Sequence, residues 1–362
     1  MRILPAGSMS DADRIEAPIR VGLVGFGLAG RCFHAPLIAA VEGLVLVAVV
    51  SSQTDAVAQA CPGAAVYPTV AAMLDDATID LVVIAAPDAQ HASIARAALL
   101  AGKHVVVDKP FVTDPADGAA LIALARDRGR MLSVFHNRRW DGDFLTVRRL
   151  LDTGTLGEMA LAELRWDRFR PTIKQGWRET AGAGLLNDLG PHLIDQAVQL
   201  FGMPDAVSGD LAVQRDGAPT EDYVEATLYY AARRVIVSTA SLVAAPRPRF
   251  ALHGTGGSFV KYGIDPQEAV LRGGGSPLDA GYGVDAEADY GTLTLADGTA
   301  RRVPSERGDW RGYYADVADA IRGAAAPNVT ADQALAVMEL IALVRRSALE
   351  GRRFAVPLRA EG

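Results

Sequence analysis

Short runs dominated by apolar residues recur through the first 140 positions. Ile19–Val24, Leu44–Val50, Ile79–Ala85, Val105–Val107 and Met131–Phe135 read as strands buried on both faces. Val66-Tyr67 is a shorter candidate. Between these runs, Arg31–Val41, Val70–Leu74, Asp88 to Gly102 and Asp114–Arg128 carry the wider apolar spacing of helices. Pro87 ends a strand, Asp88 is placed to cap the helix that follows, and Gly102 to stop it. Pro36 sits awkwardly within the first helix. Strands and helices alternate, so residues 19–140 are expected to form a doubly wound parallel sheet.

Beyond a helix at Asp143–Leu151, closed by Asp152-Thr153-Gly154, the pattern changes. Met159–Phe169, Ala206–Val213, Tyr223–Tyr230, Val235–Leu242, Phe250–His253 and Ser258–Tyr262 read as strands joined by Gly, Pro and Asp turns. Helices at Tyr313–Ile321 and Thr330–Leu349 close the pattern, and Gly273–Gly275 with Gly281–Gly283 mark a flexible loop. The expected fold class is α/β: the parallel sheet first, then an α/β domain (141–362) built on a large, open, mostly antiparallel sheet. Val235, Val237 and Leu242 place apolar positions on more sheet faces than these helices cover, which predicts a homodimer or homotetramer through that sheet.

Composition narrows the classes of function. The chain has 362 residues, half of them apolar and 22% charged, enough for a large core in two domains. A net charge of −7 argues against a nucleic-acid surface. No apolar run reaches the length of a bilayer span. Residues 1–18 lack the form of a signal peptide and are expected to be a disordered leader, with Met9 a conceivable second start. Cys32 and Cys61 suit a reducing compartment, so a cytoplasmic location is expected. No cluster of residues has the spacing of a metal site.

The first strand runs straight into Gly25-Phe26-Gly27-Leu28-Ala29-Gly30, a complete G-x-G-x-x-G. Gly25 permits the tight turn, Gly27 lets a pyrophosphate approach the backbone, and Gly30 lets the helix pack close to the strand. The helix then aims its N-terminal N–H groups at the phosphates. Strand, turn and helix arrive in the order that dinucleotide binding requires, which favours it over a turn without a ligand. About twenty residues on, where an NAD site carries an acid, the chain has Ser51-Ser52-Gln53, and Asp55 comes too late. Serine hydroxyls do not repel a 2′-phosphate, so NADP is expected in preference to NAD, although no arginine follows to clamp it.

Two further stretches carry chemistry. Asp108-Lys109-Pro110 lies at the C-terminal end of a parallel strand, where ligands bind in such sheets. Asp188 and His192, four residues apart near a helix start with Pro191 between them, can pair as a carboxylate-tuned general acid and base. A capping aspartate beside a surface histidine is the plain alternative. His91, in the first turn of its helix, reads as a structural histidine or a cofactor contact.

Asp108-Lys109-Pro110, Gly182 with Asp188-x-x-x-His192, and the glycine fingerprint together resemble the glucose–fructose oxidoreductase, inositol dehydrogenase and rhizopine-catabolism (Gfo/Idh/MocA) family, with Asp108 in place of its usual Glu. Phe33-His34-Ala35-Pro36, Phe135–Asp141 and Val260–Glu268 are similar to the branch that includes NADP-dependent scyllo-inositol dehydrogenases. The resemblance implies a Rossmann domain, a second α/β domain whose open sheet joins subunits, and a last helix (about 330–349) packing back on the first domain. It implies Lys109, Asp188 and His192 as catalytic residues, with His192 the base, Asp188 its partner and Lys109 holding the substrate hydroxyl. Cofactor contacts are expected from the residues Gly25 through Gly30, then Ser51, Ser52, Ala85, Pro87, His91, Asp108, Lys109, Pro110 and Asn137. Arg138, Arg168, Trp177 and Arg178 are candidates for a small polyhydroxylated substrate. The implied function is NAD(P)-dependent hydride transfer at the carbinol carbon of a polyol, cyclitol or sugar. A nicotinamide-assisted glycoside hydrolase or lyase and a non-catalytic NAD(P)-binding sensor remain alternatives.

Overall fold

A computed structural model describes residues 17–173 and 184–357. Nearly all of the expected leader, and Trp177 and Arg178, lie outside the described residues.

The first sheet contains β1 (Ile19–Val24), β2 (Leu44–Val50), β3 (Ala65–Tyr67), β4 (Leu81–Ile84), β5 (His104–Val107) and β6 (Leu132–Val134), in the order 3-2-1-4-5-6 and parallel throughout. Leu81–Ile84 and Val105–Val107 are wholly buried, because helices cover both faces and the strands can be continuously apolar. Strand order reverses between β1 and β4. The turns after these strands therefore open into one crevice, the place where such sheets bind ligands.

Local chemistry shifts several helix starts. The first helix opens as a π-helical turn, Gly30–His34, before α1 (Ala35–Ala39). This puts Pro36 in the first turn of α1, where its missing N–H costs nothing. Next come α2 (Thr54–Ala60), α3 (Val70–Leu74) and α4 (His91–Leu100). Asp88 does not cap α4: it begins a 3₁₀ turn, Asp88–Gln90, and Gln90 holds the cap position. Asp114 does cap α5 (Pro115–Asp127), its carboxylate accepting from the Ala116 N–H at 2.9 Å. A 3₁₀ turn, Asn137–Trp140, follows β6 and leads to α6 (Gly142–Asp152).

The second sheet runs β14-β13-β12-β11-β7-β10-β9-β8-β15 and is antiparallel except where β7 (Met159–Arg165) pairs with β10 (Arg234–Ala240). After β7 come the short helix α7 (Leu185–Asp188) and α8 (Gly190–Phe201), then β8 (Ala206–Ala212) and β9 (Tyr223–Tyr229). The hairpin β11 (Phe250–Gly254) and β12 (Gly257–Lys261) continues the sheet and is followed by α9 (Gln267–Arg272). Strands β13 (Gly291–Leu295) and β14 (Ala300–Val303) go beyond the sequence reading, although the Asp297-Gly298 turn between alternating segments is a hairpin signal. Of the expected glycine loop, Gly273, Gly274 and Gly281 are exposed, and only its last part is packed. Tyr282 is fully buried, and the Gly308 N–H donates to the Gly283 carbonyl at 2.9 Å.

Two last helices unite the halves. The first, α10 (Arg311–Ile321), carries Tyr313 and Tyr314 into an aromatic cluster with Phe135 and Trp310. The second, α11 (Ala331–Glu350), begins with a capping box at Thr330 and Gln333. It packs on α5 and β6 of the first sheet and on α8 and β8 of the second. The short strand β15 (Phe354–Ala355) pairs with β8.

Candidate active site

The glycine turn has the form a dinucleotide needs. A Cβ on Gly25 would collide with the Ala85 carbonyl, and one on Gly30 with the Gly25 carbonyl, so both positions require glycine for packing. A Cβ on Gly27 would meet nothing within 4 Å. That open approach lies at the start of the helical segment, beside the β1/β4 crevice, and is where a pyrophosphate fits. Phe26 turns its ring into the core, leaving its backbone to the turn, while Leu28 and Ala29 are half-buried. At the end of β2, Ser51 Oγ accepts from the Gln53 N–H at 3.0 Å, and the Gln53 amide donates to the Phe26 carbonyl at 3.3 Å. Ser52 is exposed beside them.

The crevice continues past β4 and β5. Ala85 is half-buried and Pro87 exposed. His91 is 1% exposed, with Nδ1 2.8 Å from the Pro110 carbonyl and Nε2 2.9 Å from the Ala86 carbonyl. Both ring nitrogens face backbone carbonyls, so His91 clasps the turn after β5 against the turn after β4. The Lys109–Pro110 peptide bond is cis and Pro110 is buried. Asp108 Oδ1 accepts from the Lys109 N–H at 2.8 Å. Burial raises the Asp108 pKa, but His34 and the Lys109 charge outweigh it and hold the carboxyl below the usual range. His34 is itself buried and bonded through Nδ1 to the Tyr314 hydroxyl at 2.6 Å.

Lys109 reaches across to the second half of the chain. Its Nζ donates to the Asp188 carbonyl at 2.6 Å and to Asp188 Oδ1 at 3.1 Å, while Arg168 Nη1 donates to Asp188 Oδ2 at 3.2 Å. The expected Asp188–His192 pair does not form: neither ring nitrogen of His192 makes a hydrogen bond to a described residue, and the buried Nδ1 has no partner. The physical reason is the break between α7 and α8 at Leu189, whose φ of −110° interrupts one continuous helix and its i, i+4 geometry. His192 nevertheless sits in the first turn of α8, with Pro191 also in that turn. Burial, followed by the charges of Lys109, Arg138, His136 and Arg249, holds its pKa well below the ordinary 6.5, so the imidazole is neutral and able to accept a proton.

Other candidates fall differently. Arg138 is 4% exposed, bonded to Asp141 at 3.1 Å and to Glu268, with its guanidinium 4.0 Å from the Trp166 ring. Its guanidinium is part of a buried ion network. Asn137 is buried at the start of its 3₁₀ turn. Arg168 is partly exposed at the edge of Asp188. Sequence reasoning did not find the His34–Tyr314 bond, or Asp195, which accepts from Arg139 Nε at 2.9 Å and Nη2 at 2.6 Å. Their partners lie far away in the chain, and no local spacing signals them.

Comparison with known proteins shows the family. Residues 19–136 match the description "oxidoreductase family, NAD-binding Rossmann fold", and residues 148–358 match "oxidoreductase family, C-terminal alpha/beta domain". The chain is 46% identical to the uncharacterised oxidoreductase YdgJ of Escherichia coli over 91% of its own length and 96% of the relative's. It is 39% identical to the scyllo-inositol 2-dehydrogenase (NADP(+)) IolW of Bacillus subtilis, covering 92% and 95% of the two chains. The solved structure of the oxidoreductase yvaA from Bacillus subtilis superposes with a TM-score of 0.92 at 38% identity, over 94% of this chain and 99% of that one. The chain belongs to the Gfo/Idh/MocA oxidoreductases, NAD(P)-dependent enzymes acting on CH–OH groups.

Proposed function

We propose that this enzyme oxidises a secondary alcohol of a cyclitol, another polyol or a sugar, with NADP as its preferred acceptor. The observation that carries the reading is the contact of Lys109 with Asp188, 2.6 Å to the carbonyl and 3.1 Å to the carboxylate. It brings a cation from the first sheet's ligand edge to the start of the helix region that bears His192. When bound, the dinucleotide supplies the hydride acceptor. His192, neutral and without a hydrogen-bond partner among the described residues, takes the hydroxyl proton. The Lys109 ammonium favours the alkoxide-like oxygen, and Asp188 keeps that ammonium in place. Similarity over nearly the whole chain to an enzyme named for scyllo-inositol and NADP supports the substrate class.

The test is to supply scyllo-inositol, myo-inositol and a panel of aldoses with NADP⁺ or NAD⁺ and follow reduced nicotinamide by absorbance. Turnover with a cyclitol or sugar, higher kcat/KM with NADP⁺, and its loss in His192→Asn are expected. Substrate conversion without net release of reduced cofactor would mean the retained-cofactor hydrolase or lyase reading instead. Dinucleotide binding without conversion of any substrate would favour the sensor.

A further inference from the structure

His192 has an unusual problem for a base. No described residue hydrogen-bonds its ring, and the carboxylate four residues before it is held by Lys109 and Arg168. The χ2 torsion of histidine has a broad, roughly two-fold range of values, and no hydrogen bond to a described residue selects the direction of this ring, yet proton transfer demands a defined one.

The aromatic ring beside it is Trp166, with centroids 5.9 Å apart and planes tilted by 33°. Trp166 is itself immobilised. Its side chain is buried, 5% exposed, and its backbone is held at both ends: the main-chain N–H donates to the Ser238 carbonyl at 3.0 Å, and the main-chain carbonyl accepts from the Thr239 hydroxyl at 2.6 Å. The Arg138 guanidinium lies 4.0 Å from the indole centroid. Arg138 is fixed in turn by Asp141 at 3.1 Å, by Glu268, and by a second indole, Trp310, at 5.2 Å. Asp141 also accepts from the Trp310 Nε1–H at 2.7 Å, closing the network.

We infer that Trp166 is the positioning residue for His192, an indole plate braced by Arg138 that orients the imidazole where a carboxylate would usually do so. The inference rests on the reading of His192 as the base. Trp166 acts through ring contact and by keeping water from the imidazole. Besides burial, the nearby charges of Lys109, Arg138, His136 and Arg249 lower the His192 pKa, and these charges remain when the indole is removed.

The experiment has two arms. In the first, kinetics with NADP⁺ and scyllo-inositol compare the wild type with Trp166→Leu, Trp166→Met and Trp166→Phe. Removing the ring should lower kcat by about 10–100-fold, the scale of a small misplacement of a reacting group, and Trp166→Phe should restore most of it. NADP⁺ affinity, measured by fluorescence titration, should stay within about twofold, because Trp166 follows β7 of the second sheet whereas the glycine turn follows β1 of the first. In the second arm, NMR of isotope-labelled histidine follows the titration of His192 without any substrate. Its midpoint should lie well below 6.5 in the wild type and Trp166→Phe, and move up towards 6.5 in folded Trp166→Leu or Trp166→Met as water reaches the ring. A raised substrate KM with kcat and the His192 titration both unchanged would make Trp166 only a wall of the substrate site and overturn the inference. Full turnover in His192→Asn would instead overturn the reading of the base. If scyllo-inositol is not turned over, the titration alone decides: an unchanged midpoint in the ring-less variants refutes the positioning role.

Discussion

Lys109 Nζ donates to both the main-chain carbonyl of Asp188, at 2.6 Å, and its carboxylate, at 3.1 Å, joining residues 79 positions apart. Both side chains are less than one-fifth exposed, so the pair is only weakly screened by solvent. Asp188 is thereby a partner of the lysine rather than of the histidine. Lys109→Ala and Asp188→Ala should each lower kcat/KM, and the double variant should lose less than the sum. A double-mutant cycle should return a coupling of about 0.5–3 kcal/mol in transition-state stabilisation. Strict additivity would mean the contact has no part in catalysis.

Cofactor choice should turn on the exposed Ser52. Ser52→Asp places a carboxylate near the position of a 2′-phosphate, repelling it while accepting from a 2′-hydroxyl. Dissociation constants measured by fluorescence should shift towards NAD in the variant. Tighter binding of NAD by the wild type would contradict the reading of Ser51-Ser52.

Acid should weaken the fold through His104. Burial, and then Arg130, lowers its pKa from 6.5 to about 4, with Asp80 opposing, while Nδ1 accepts from the Met131 N–H at 3.0 Å. Between these two values the unfolded chain binds a proton that the folded chain refuses. Stability is therefore lost as pH falls from 6.5 towards 4. His104→Asn retains an acceptor without titrating, so its urea midpoint should fall less over that window than that of the wild type.

The buried pair of Arg139 and Asp195 ties the turn after β6 to α8, and Arg139 Nη1 also reaches the Asn328 carbonyl at 2.7 Å and Gln333 Oε1 at 2.9 Å. Asp195→Ala would strand the guanidinium and should cost about 3–5 kcal/mol in denaturant unfolding. A loss below about 1 kcal/mol, the range of exposed pairs, would show that water replaces the partner.

The second sheet presents one face to solvent. Val224, Ala226, Leu228, Val235 and Val237 are buried, whereas Tyr223, Thr227, Tyr229 and Ile236 on the other face are partly exposed. We propose that subunits meet on this second face. Ile236→Asp should shift light-scattering mass from an oligomer to a monomer of about 38 kDa. A wild-type monomer at micromolar concentration would refute the proposal.

The features legible in the sequence are those set by neighbours along the chain. Gly25 and Gly30 leave no room for a Cβ in a strand–turn–helix, so the turn could be read from its spacing. Continuous apolar runs gave away the buried parallel strands, and Pro191 marked the start of α8. Lys109 and His192 stood out because neither sits where packing calls for its residue type. Tertiary structure decided which partners those side chains take. The break at Leu189 turned Asp188 away from His192 and towards a lysine on the other sheet. Packing of the turns after β4 and β5 gave both nitrogens of His91 to backbone carbonyls. Arg138, read as a substrate contact, was drawn into the core by Asp141 and Glu268, and Trp166 came to rest against His192. Backbone sterics and hydrophobic period act over a few residues, so one stretch of sequence contains them. The pairing of a charge or a ring depends on how two sheets and their helices close on each other, and that is written in no single stretch.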